Sequence, residues 1–419
     1  MRSRWERVIQ WVLIAGTVLA LAGGGAAAKT LTIAPGWGSI PDQLSFAMKS
    51  YTEKTGVTFE VMTPPGNYHE QLLVWMAAGT MPDLFMVQSS NLADFARVNA
   101  MLPLDAYYAR DVDESLYLPM FGASTVNGVR YGFPAEGGGY RIGGTWINVN
   151  AFLEAGLAVP GPRIEDAMTY EEIAEAAARL TIDSDGDGAP ERYGLSADPG
   201  LWTMRVLLPT NGASFFNADG TEVLLDRPEA IEVFAWLQEL KQRGIFVTAG
   251  NNQFPTGQSA MDIRWRAIAS VWPDVIGDSF EWRAAPVPAG RAGSVGVINM
   301  NSLAISATTP QAEEAWRFIL HVMSEDVQEE WAARGFATSL RSTALKYVTV
   351  PHPPYDFTPF LEGEAVPMNA GLLPPPGVIW PNEATTLLNR VINGDIAPEI
   401  GVQQAADLLR VALRERDAR

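Results

Sequence analysis

Short apolar runs alternate with longer amphipathic stretches between positions 29 and 91. Leu44, Met48 and Tyr51 recur at i, i+4 and i+7, which is the spacing of one helix face. The apolar runs have the length of buried strands, and glycine or proline separates them from the helical stretches. The pattern predicts strand, helix, strand, helix and strand at residues 31–34, 41–55, 57–62, 68–78 and 84–87. This order is typical of a parallel sheet covered by helices, whose ligands bind beyond the carboxyl ends of the strands.

A glycine-rich stretch at residues 126–150 separates this unit from the rest of the chain. It opens on Asn127-Gly128, a pair favoured in type I′ hairpin turns because both central residues have positive φ. The short strand that follows is predicted to end at Pro134, and Glu136 then precedes five glycines in eight positions. Glycine loses much backbone entropy on folding, so this run indicates a bend or a close approach to a ligand. We interpret the stretch as a crossing between two lobes; a glycine-rich surface loop within one domain is the alternative.

The remainder of the chain continues with strand and helix patterns and ends in helices. Thr169 and Glu172 form a capping box at the start of a helix, and Pro228 occupies the first turn of another. Extended segments at residues 282–287 and 336–342 are candidates for a second and a third crossing. The other predicted elements are strands at 145–149, 193–196, 267–271 and 302–306, a proline-rich loop at 349–381, and helices at 201–208, 381–392, 403–414 and from Pro310 onward.

The length of 419 residues exceeds that of one hydrophobic core, so two or more domains are expected. With 47% hydrophobic and 19% charged residues, the composition is that of a folded protein. The first 28 residues have the features of a signal peptide: an arginine-containing segment precedes the apolar run at 11–21, and three alanines at 26–28 form a cleavage site. The mature chain is expected to begin near Lys29.

The chain contains no cysteine. An exported form therefore has no disulfides and lacks the residue that anchors a bacterial lipoprotein, so a periplasmic, unanchored protein is expected. Residues 1–28 carry three Arg and one Glu, and their removal changes the formal net charge from −18 to −20. This charge argues against nucleic acid and anionic membranes as partners.

Several segments, taken in order, resemble one protein family. They are NGVRYGFP, INVNAFLEAGLAVP, TYEEIAEAAARLT, DSDGDGAPERYGL, PTGQSAM and NMNSLAISATTPQAEEAWRFILHVMSEDVQEEWAARGFATSLRS. Together they resemble the extracellular solute-binding proteins of carbohydrate ABC transporters, the maltose-binding-protein-like group. The similarity extends from about Leu31 to Arg410, which is nearly the whole mature chain.

The resemblance implies an α/β chain with the two-lobe periplasmic-binding-protein fold of type II, three interlobe crossings and a ligand cleft between the lobes. Lobe one would comprise residues 29–136 and 288–336, and lobe two residues 137–287 and 337–419. The lobes would close on the ligand by hinge bending. The implied partners are a small-molecule sugar and the permease subunits of an ABC transporter. We expect a monomer with no nucleic-acid partner and no required cofactor.

A sugar ring has apolar C–H faces and a rim of hydroxyls, so flat aromatics and planar polar groups suit it. By resemblance, Trp265 and Trp380 match positions that stack on sugar rings. Four other tryptophans lie on predicted helix faces and are expected to be structural: Trp75, Trp236, Trp316 and Trp331. Core packing is the alternative for each candidate tryptophan, and a surface salt bridge for each charged candidate. The candidate ligand-binding residues are Trp37, Ser39, Gln88, Ser89, Glu136, Asp198, Trp202, Trp265, Asn299, Arg341 and Trp380.

The segment DSDGDG at residues 183–188 resembles the start of an EF-hand loop. Asp183, Asp185 and Asp187 occupy positions one, three and five, and oxygen ligands at this spacing suit calcium. Position twelve is Gly194 rather than glutamate, so Glu191 at position nine is the candidate fourth ligand. The sequence predicts a structural calcium site formed by these four acidic residues, with an Asp-rich turn as the alternative.

Two other function classes share parts of this pattern. A secreted carbohydrate-active hydrolase would need two carboxylates roughly 5–9.5 Å apart, and acidic residues are numerous, but the sequence has no nucleophile-elbow motif and its three histidines lack metal-ligand spacing. A sensor input protein would share the fold, and a polyol or glycerol-phosphate-type ligand stays open. The expected function is the binding of a sugar or oligosaccharide for transport, without turnover.

Overall fold

A computed structural model shows that the described part of the chain forms two large β-sheets, with helices packed around each of them, and a separate two-stranded hairpin. The structure describes residues 29–36, 40–64, 67–197, 201–248, 250, 252–266, 272–333, 338–346, 356 and 358–418. Within this described part, no helix is long and apolar enough to cross a membrane. The predicted signal peptide at residues 1–28 lies outside the described residues.

The first sheet is built from the alternating pattern at the start of the chain. Three strands and two connecting helices form its centre: β1 (Thr30–Ala34), α1 (Ile40–Thr55), β2 (Thr58–Val61), α2 (Tyr68–Ala77) and β3 (Leu84–Val87). β1 pairs in parallel with both β2 and β3, so the predicted parallel unit is confirmed. Helix α2 begins where predicted because Asn67 Oδ1 accepts the backbone N–H groups of His69 and Glu70.

Two short helices and a hairpin follow the third strand. They are α3 (Leu92–Arg97), α4 (Asp105–Asp111), β4 (Thr125–Val126) and β5 (Val129–Arg130). β4 and β5 pair antiparallel. Asn127 and Gly128 connect them with φ angles of 50° and 78°, and positive φ at both central positions is what a type I′ turn requires. The predicted hairpin turn is therefore confirmed.

One long strand extends the first sheet and links it to the rest of the molecule. β12 (Gly296–Ile305) pairs antiparallel with β3 and with β6 (Gly132–Gly139), and in parallel with β13 (Ala365–Pro367). The predicted strand end at Pro134 is wrong, because β6 continues through the proline as far as Gly139. The proline is tolerated there since the β6–β12 register shifts beside its partner position, between Asn301 and Ser302.

The second sheet mixes parallel and antiparallel strands. Its members are β7 (Gly143–Asn148), β8 (Tyr193–Ala197), β9 (Phe246–Thr248), β10 (Ser259–Trp265) and β11 (Trp282–Ala285). The order across the sheet is β11-β7-β10-β8-β9, and β8 is parallel to both β9 and β10. The sequence pattern missed β10 because it contains Asp262 and Arg264, which are buried as an ion pair at 3.0 Å. The predicted strand at 267–271 lies outside the described residues.

Helices cover the second sheet. They are α5 (Val149–Glu154), α6 (Tyr170–Leu180), α7 (Leu201–Leu207), α8 (Pro228–Gln242) and α9 (Pro273–Ile276). The predicted capping box at α6 is confirmed: Thr169 Oγ1 accepts the Glu172 N–H, and the Glu172 carboxylate accepts the Thr169 N–H at 2.8 Å. α8 spans the predicted residues, with Pro228 in its first turn as expected.

Helices dominate the C-terminal part of the chain. They are α10 (Ala312–Val322), α11 (Glu325–Ala333), α12 (Arg341–Lys346), α13 (Asn382–Ile392) and α14 (Pro398–Asp417). Short 3-10 turns occur at Glu114–Leu116, Phe121–Ser124, Ile164–Asp166, Leu208–Asn211 and Thr358–Phe360. α10 begins two residues later than its predicted start at Pro310. The Thr309 hydroxyl accepts the Gln311 N–H at 3.0 Å, just before the helix, and donates to the Asp83 carboxylate.

Each sheet has its own hydrophobic core. The first core draws on residues 31–135 and 303–331 and buries Trp316 and Trp331, which confirms their predicted structural role. The second core draws on residues 142–297 and on the C-terminal segment 368–413. An additional aromatic cluster packs Trp146, Trp272, Trp282, Phe254 and Phe360 together. Two separate cores fit a molecule with two lobes.

The chain passes between the sheets on the β6–β7 connection and on β12. Within the predicted segment 282–287, β11 is an edge strand of the second sheet, and Ala289 just after it bridges to Thr169. The third predicted crossing, at 336–342, lies partly outside the described residues. The exact lobe boundaries and the three crossings stay predictions.

Candidate functional site

A cleft of about 500 Å³ lies between the first sheet and the second sheet with their surrounding helices. One wall comes from α3 and the β4–β5 hairpin, on the side of the first sheet. The other wall comes from residues 216–220 and 367–376, of which Phe216, Leu372 and Leu373 belong to or pack against the second core. Polar groups on both walls belong to Ser89, Ser90, Asn127, Asn217, Asp219 and Asn369. Hydroxyl and amide groups of this kind suit a ligand that is rich in hydroxyls.

The carboxyl end of β3 reaches this cleft, as expected for a parallel sheet. Ser89 lines the cleft, but it is buried and its hydroxyl donates to the Met300 carbonyl of β12. The Gln88 backbone N–H donates to His69 Nε2 at 3.4 Å. Burial lowers the pKa of His69 to about 4, so the ring is neutral near pH 7 and can accept this bond. The half-buried Gln88 amide bonds to no described residue and is available to a ligand.

Two further predicted residues lie on the paired strands β6 and β12. Glu136 lies opposite Asn301, and Asn299 lies opposite Gly139. The Asn299 side chain is half-buried and forms no hydrogen bond within the described part of the chain. The side chain of Glu136 is not among the described atoms. The backbone of both residues therefore lies where the first sheet leads into the second.

Trp202 and Trp265 form a pair at one edge of the second sheet. Trp265 ends β10, opposite Gly143 of β7, and Trp202 lies in the first turn of α7, which follows β8. Their ring centroids are 4.5 Å apart, with the planes inclined at 46°. Both side chains are half-buried, and the buried indole N–H of Trp265 has no hydrogen-bond partner among the described residues. Because β8 and β10 are parallel, both tryptophans lie at neighbouring carboxyl ends, where α/β proteins bind ligands.

Arg205 lies one turn after Trp202 on α7 and is not among the ligand-binding residues predicted from the sequence. Its Cζ is 4.9 Å from the centroid of the Trp202 ring, and its Nε donates to the Leu372 carbonyl at 3.1 Å. Leu372 lies between Gly371 and Leu373, which line the cleft, so Arg205 is bonded to the segment that forms one wall of the cleft. Burial lowers the pKa of Arg205 to about 10, which leaves the side chain protonated near pH 7. In the sequence, Arg205 follows Trp202 by three positions, and this helical spacing could have indicated that the two side chains are neighbours.

Two predicted ligand residues make contacts within the protein. The Trp380 ring lies edge-on to Phe215 at 5.0 Å, and its indole N–H donates to Thr385 Oγ1 at 2.9 Å. These are the contacts of a packed side chain. Arg341 is exposed, and its Nη2 donates to the Tyr117 carbonyl at 3.2 Å. Neither residue lines the cleft as described, and their contacts with ligand stay predictions.

Three more predicted residues, Trp37, Ser39 and Asp198, lie outside the described residues. Trp37 and Ser39 directly follow β1, and Asp198 directly follows β8. Their predicted role in ligand binding therefore stays a prediction.

The acidic loop brings three of its four predicted calcium ligands together. Carboxylate oxygens of Asp183, Asp185 and Asp187 lie within 4.8 Å of one another, and all three residues are exposed. Glu191 instead accepts the backbone N–H of Ser184 at 3.0 Å and its hydroxyl at 2.5 Å, and these bonds hold the pKa of Glu191 below its usual value. The three aspartates suit a hard cation with oxygen ligands. Calcium binding stays a prediction.

Solved structures of several other proteins have a similar fold. UspC of Mycobacterium tuberculosis has a TM-score of 0.77 at 19% identity, with 91% of this chain and 100% of that chain covered. The sugar-binding protein MalE of Xanthomonas citri has a TM-score of 0.76 at 18% identity, with 93% and 98% covered. A cyclo/maltodextrin-binding protein complexed with maltotetraose has a TM-score of 0.72 at 19% identity, with 92% and 98% covered. The likeness shows the two-lobe periplasmic-binding-protein fold.

Sequence comparison identifies the family. A protein of Brucella abortus (strain 2308) that is named as a binding protein is 23% identical over 343 residues, which cover 77% of this chain and 78% of that protein. The family model described as bacterial extracellular solute-binding protein matches residues 47–354. This match covers well over half of the sequence. The chain therefore belongs to the bacterial extracellular solute-binding proteins.

Proposed function

We propose that this protein is the substrate-binding component of an ABC importer and binds a sugar or oligosaccharide in the cleft between its two lobes. The observation that carries the proposal is the half-buried Trp202–Trp265 pair at the carboxyl ends of β8 and β10. Indole faces pack against the apolar C–H faces of sugar rings, and the Trp265 N–H supplies a donor to a hydroxyl. The Gln88 and Asn299 amides supply further donors and acceptors.

The relatives support the same ligand class. The MalE protein is described as sugar-binding, and the maltodextrin-binding protein holds maltotetraose. At 18% and 19% identity they share the fold, and the choice of ligand for this chain rests on its own residues. Trp202, Trp265 and Arg205 give it a recognition surface of its own.

The proposed working cycle follows from the two-unit architecture. Ligand that contacts both walls of the cleft favours the closed arrangement, and it does so only through higher affinity for that arrangement. The closed form then docks on the permease. We propose export to the periplasm through the signal peptide at residues 1–28, and the absence of cysteine leaves no residue for a lipid anchor.

Isothermal titration of the purified mature chain against mono-, di- and trisaccharides tests the proposal. At least one sugar is expected to bind saturably, with Trp265→Phe weakening that binding. Trp236→Phe is the matched control, because the Trp236 ring stacks on Tyr170 at 4.3 Å, with its N–H bonded to the Tyr170 carbonyl. The absence of binding at millimolar concentrations of every sugar would contradict the proposal.

Product analysis separates binding from hydrolysis. The bound sugar is expected to be recovered unchanged after prolonged incubation with the protein. Conversion of any glycan to smaller products would favour the hydrolase alternative.

A further inference from the structure

Two arginines near the junction of the sheets have no carboxylate partner within the described part of the chain. Arg141 is fully buried and Arg205 is half-buried. Burial lowers both pKa values to about 10. Neither side chain lies within ion-pair distance of a described carboxylate. Each is thus a partly desolvated cation that needs other compensation.

The protein itself compensates Arg141. Its Nε donates to the Pro359 carbonyl at 3.0 Å, its Nη1 to the Glu364 carbonyl at 2.6 Å, and its Nη2 to Ser294 Oγ at 3.0 Å. All three nitrogens are bonded to neutral acceptors. Arg141 is therefore a structural residue.

Arg205 is compensated at one nitrogen only. Its Nε donates to the Leu372 carbonyl, whereas Nη1 and Nη2 bond to no described residue. Neither is among the fully buried polar atoms that lack a partner, so both remain accessible. The free side of the guanidinium can therefore receive a ligand.

Contacts around Arg205 fix the orientation of the side of its guanidinium that carries Nη1 and Nη2. The Leu372 carbonyl holds one edge of the guanidinium, and the Trp202 ring lies 4.9 Å from Cζ. Trp202 in turn contacts Trp265, whose buried indole N–H finds no acceptor in the described part of the chain. The Nη1 and Nη2 groups of Arg205 therefore form an ordered pair of N–H donors. Such a pair matches the two oxygens of a carboxylate or phosphate group.

The negative net charge of the whole protein makes a local cation more important for binding an anionic ligand. The formal net charge of −18 opposes the approach of anions in general. An anionic ligand would therefore need a dedicated cationic partner, and Arg205, bonded to the segment that forms one wall of the cleft, is a candidate for that role.

We infer that the solute carries an anionic group, a carboxylate or a phosphate, which Arg205 binds while the Trp202–Trp265 pair packs against the adjoining ring. The inference rests on the proposed sugar-binding function and narrows the ligand to acidic sugars. Uronic acids would supply the carboxylate, and sugar phosphates the phosphate.

Isothermal titration with matched neutral and acidic probes tests the inference. The probes are D-glucose, D-glucuronate and D-glucose 6-phosphate, D-galactose and D-galacturonate, and galactobiose and digalacturonate. At least one acidic probe is expected to bind at least about tenfold more tightly than its neutral partner, as a charge-assisted bond permits. The preference is expected to shrink as salt is raised. The glucuronate and phosphate arms distinguish the two anionic groups.

Variants of Arg205 test whether this residue causes the preference for acidic over neutral sugars. Arg205→Met is expected to abolish it, and Arg205→Lys to keep only part of it, because lysine retains the charge without the planar fork. Arg179→Met is the matched control, since Arg179 is exposed and its Nη2 contacts the Ala155 carbonyl away from the cleft. Thermal unfolding establishes that each variant is folded; if Arg205→Met is not, Arg205→Lys carries the test.

The outcomes separate the inference from the proposed function. Neutral sugars that bind as tightly as their acidic partners would overturn the inference and leave the sugar-binding proposal intact. A wild-type preference retained in both Arg205 variants would also overturn it. No binding of any neutral or acidic sugar would overturn the proposed function and the inference with it.

Discussion

Tryptophans in this protein differ in what surrounds them. Trp316 and Trp331 are buried in the first core among aliphatic and aromatic side chains. Trp202 and Trp265 lie half-buried at the carboxyl ends of β8 and β10 and contact each other. Trp380 is also half-buried, but its ring contacts Phe215 and its N–H is already bonded. Residual exposure together with an unused polar group marks a ligand contact better than the residue type does.

Substitution of two tryptophans by alanine tests this distinction. Trp265→Ala is expected to weaken sugar binding by about 1.5–3 kcal/mol, the transfer energy of a buried aromatic, because the sugar ring loses its stacking surface. Trp380→Ala is expected to lower the free energy of unfolding by about 2 kcal/mol, since a half-buried ring forms fewer packing contacts than a core residue. Titration calorimetry and urea denaturation measure the two quantities. Unchanged stability with reduced affinity in Trp380→Ala would instead restore its stacking role.

At the scale of elements, helix α6 shows how local chemistry sets a boundary. Its first residue follows Thr169, whose hydroxyl accepts one N–H of the first turn while the Glu172 carboxylate accepts the Thr169 N–H. One face of the helix buries Ile173, Ala177 and Leu180 against the second sheet. The cap fixes where the helix begins, and the apolar face fixes which side packs.

Loss of the cap is expected to destabilise the protein measurably. Thr169→Ala should lower the free energy of unfolding by about 1 kcal/mol, because an N–H of the first turn loses its acceptor. Thr169→Ser keeps the hydroxyl and serves as the control. Urea denaturation compares the three proteins. An equal loss in both variants would show that the methyl group rather than the hydrogen bond supplies the stability.

At the scale of the whole molecule, Arg141 joins the segments that connect the sheets. It lies between β6 and β7, and its partners are Ser294 just before β12, Glu364 just before β13, and Pro359. A single buried side chain thus holds several connecting segments in one arrangement.

Removal of the Arg141 side chain is expected to weaken this junction. Arg141→Met should lower the free energy of unfolding by about 2–4 kcal/mol, because buried acceptors lose their donors. Arg141→Lys retains the charge and one donor group, so a smaller loss is expected. Chemical denaturation gives the stability, and small-angle X-ray scattering gives the spread of lobe arrangements. Wild-type stability in Arg141→Met would contradict the role assigned to this residue.

The sequence by itself determined the features that depend on near neighbours. Helix spacing, the Thr169 cap, the Asn127-Gly128 turn and the parallel β1–β2–β3 unit followed from residues a few positions apart, and the ordered motifs indicated the family. Local hydrogen bonds and periodic burial act within one or two turns, so the linear pattern records them.

Only the tertiary structure decided features that join distant segments. Pro134 continues a strand because the opposing register shifts, and β10 carries a buried ion pair that its composition had concealed. Trp202, Trp265 and Leu372 come together around Arg205 through the order of the second sheet and the course of the C-terminal loop. Sheet order and loop course are set by the sum of long-range packing, which no local pattern encodes.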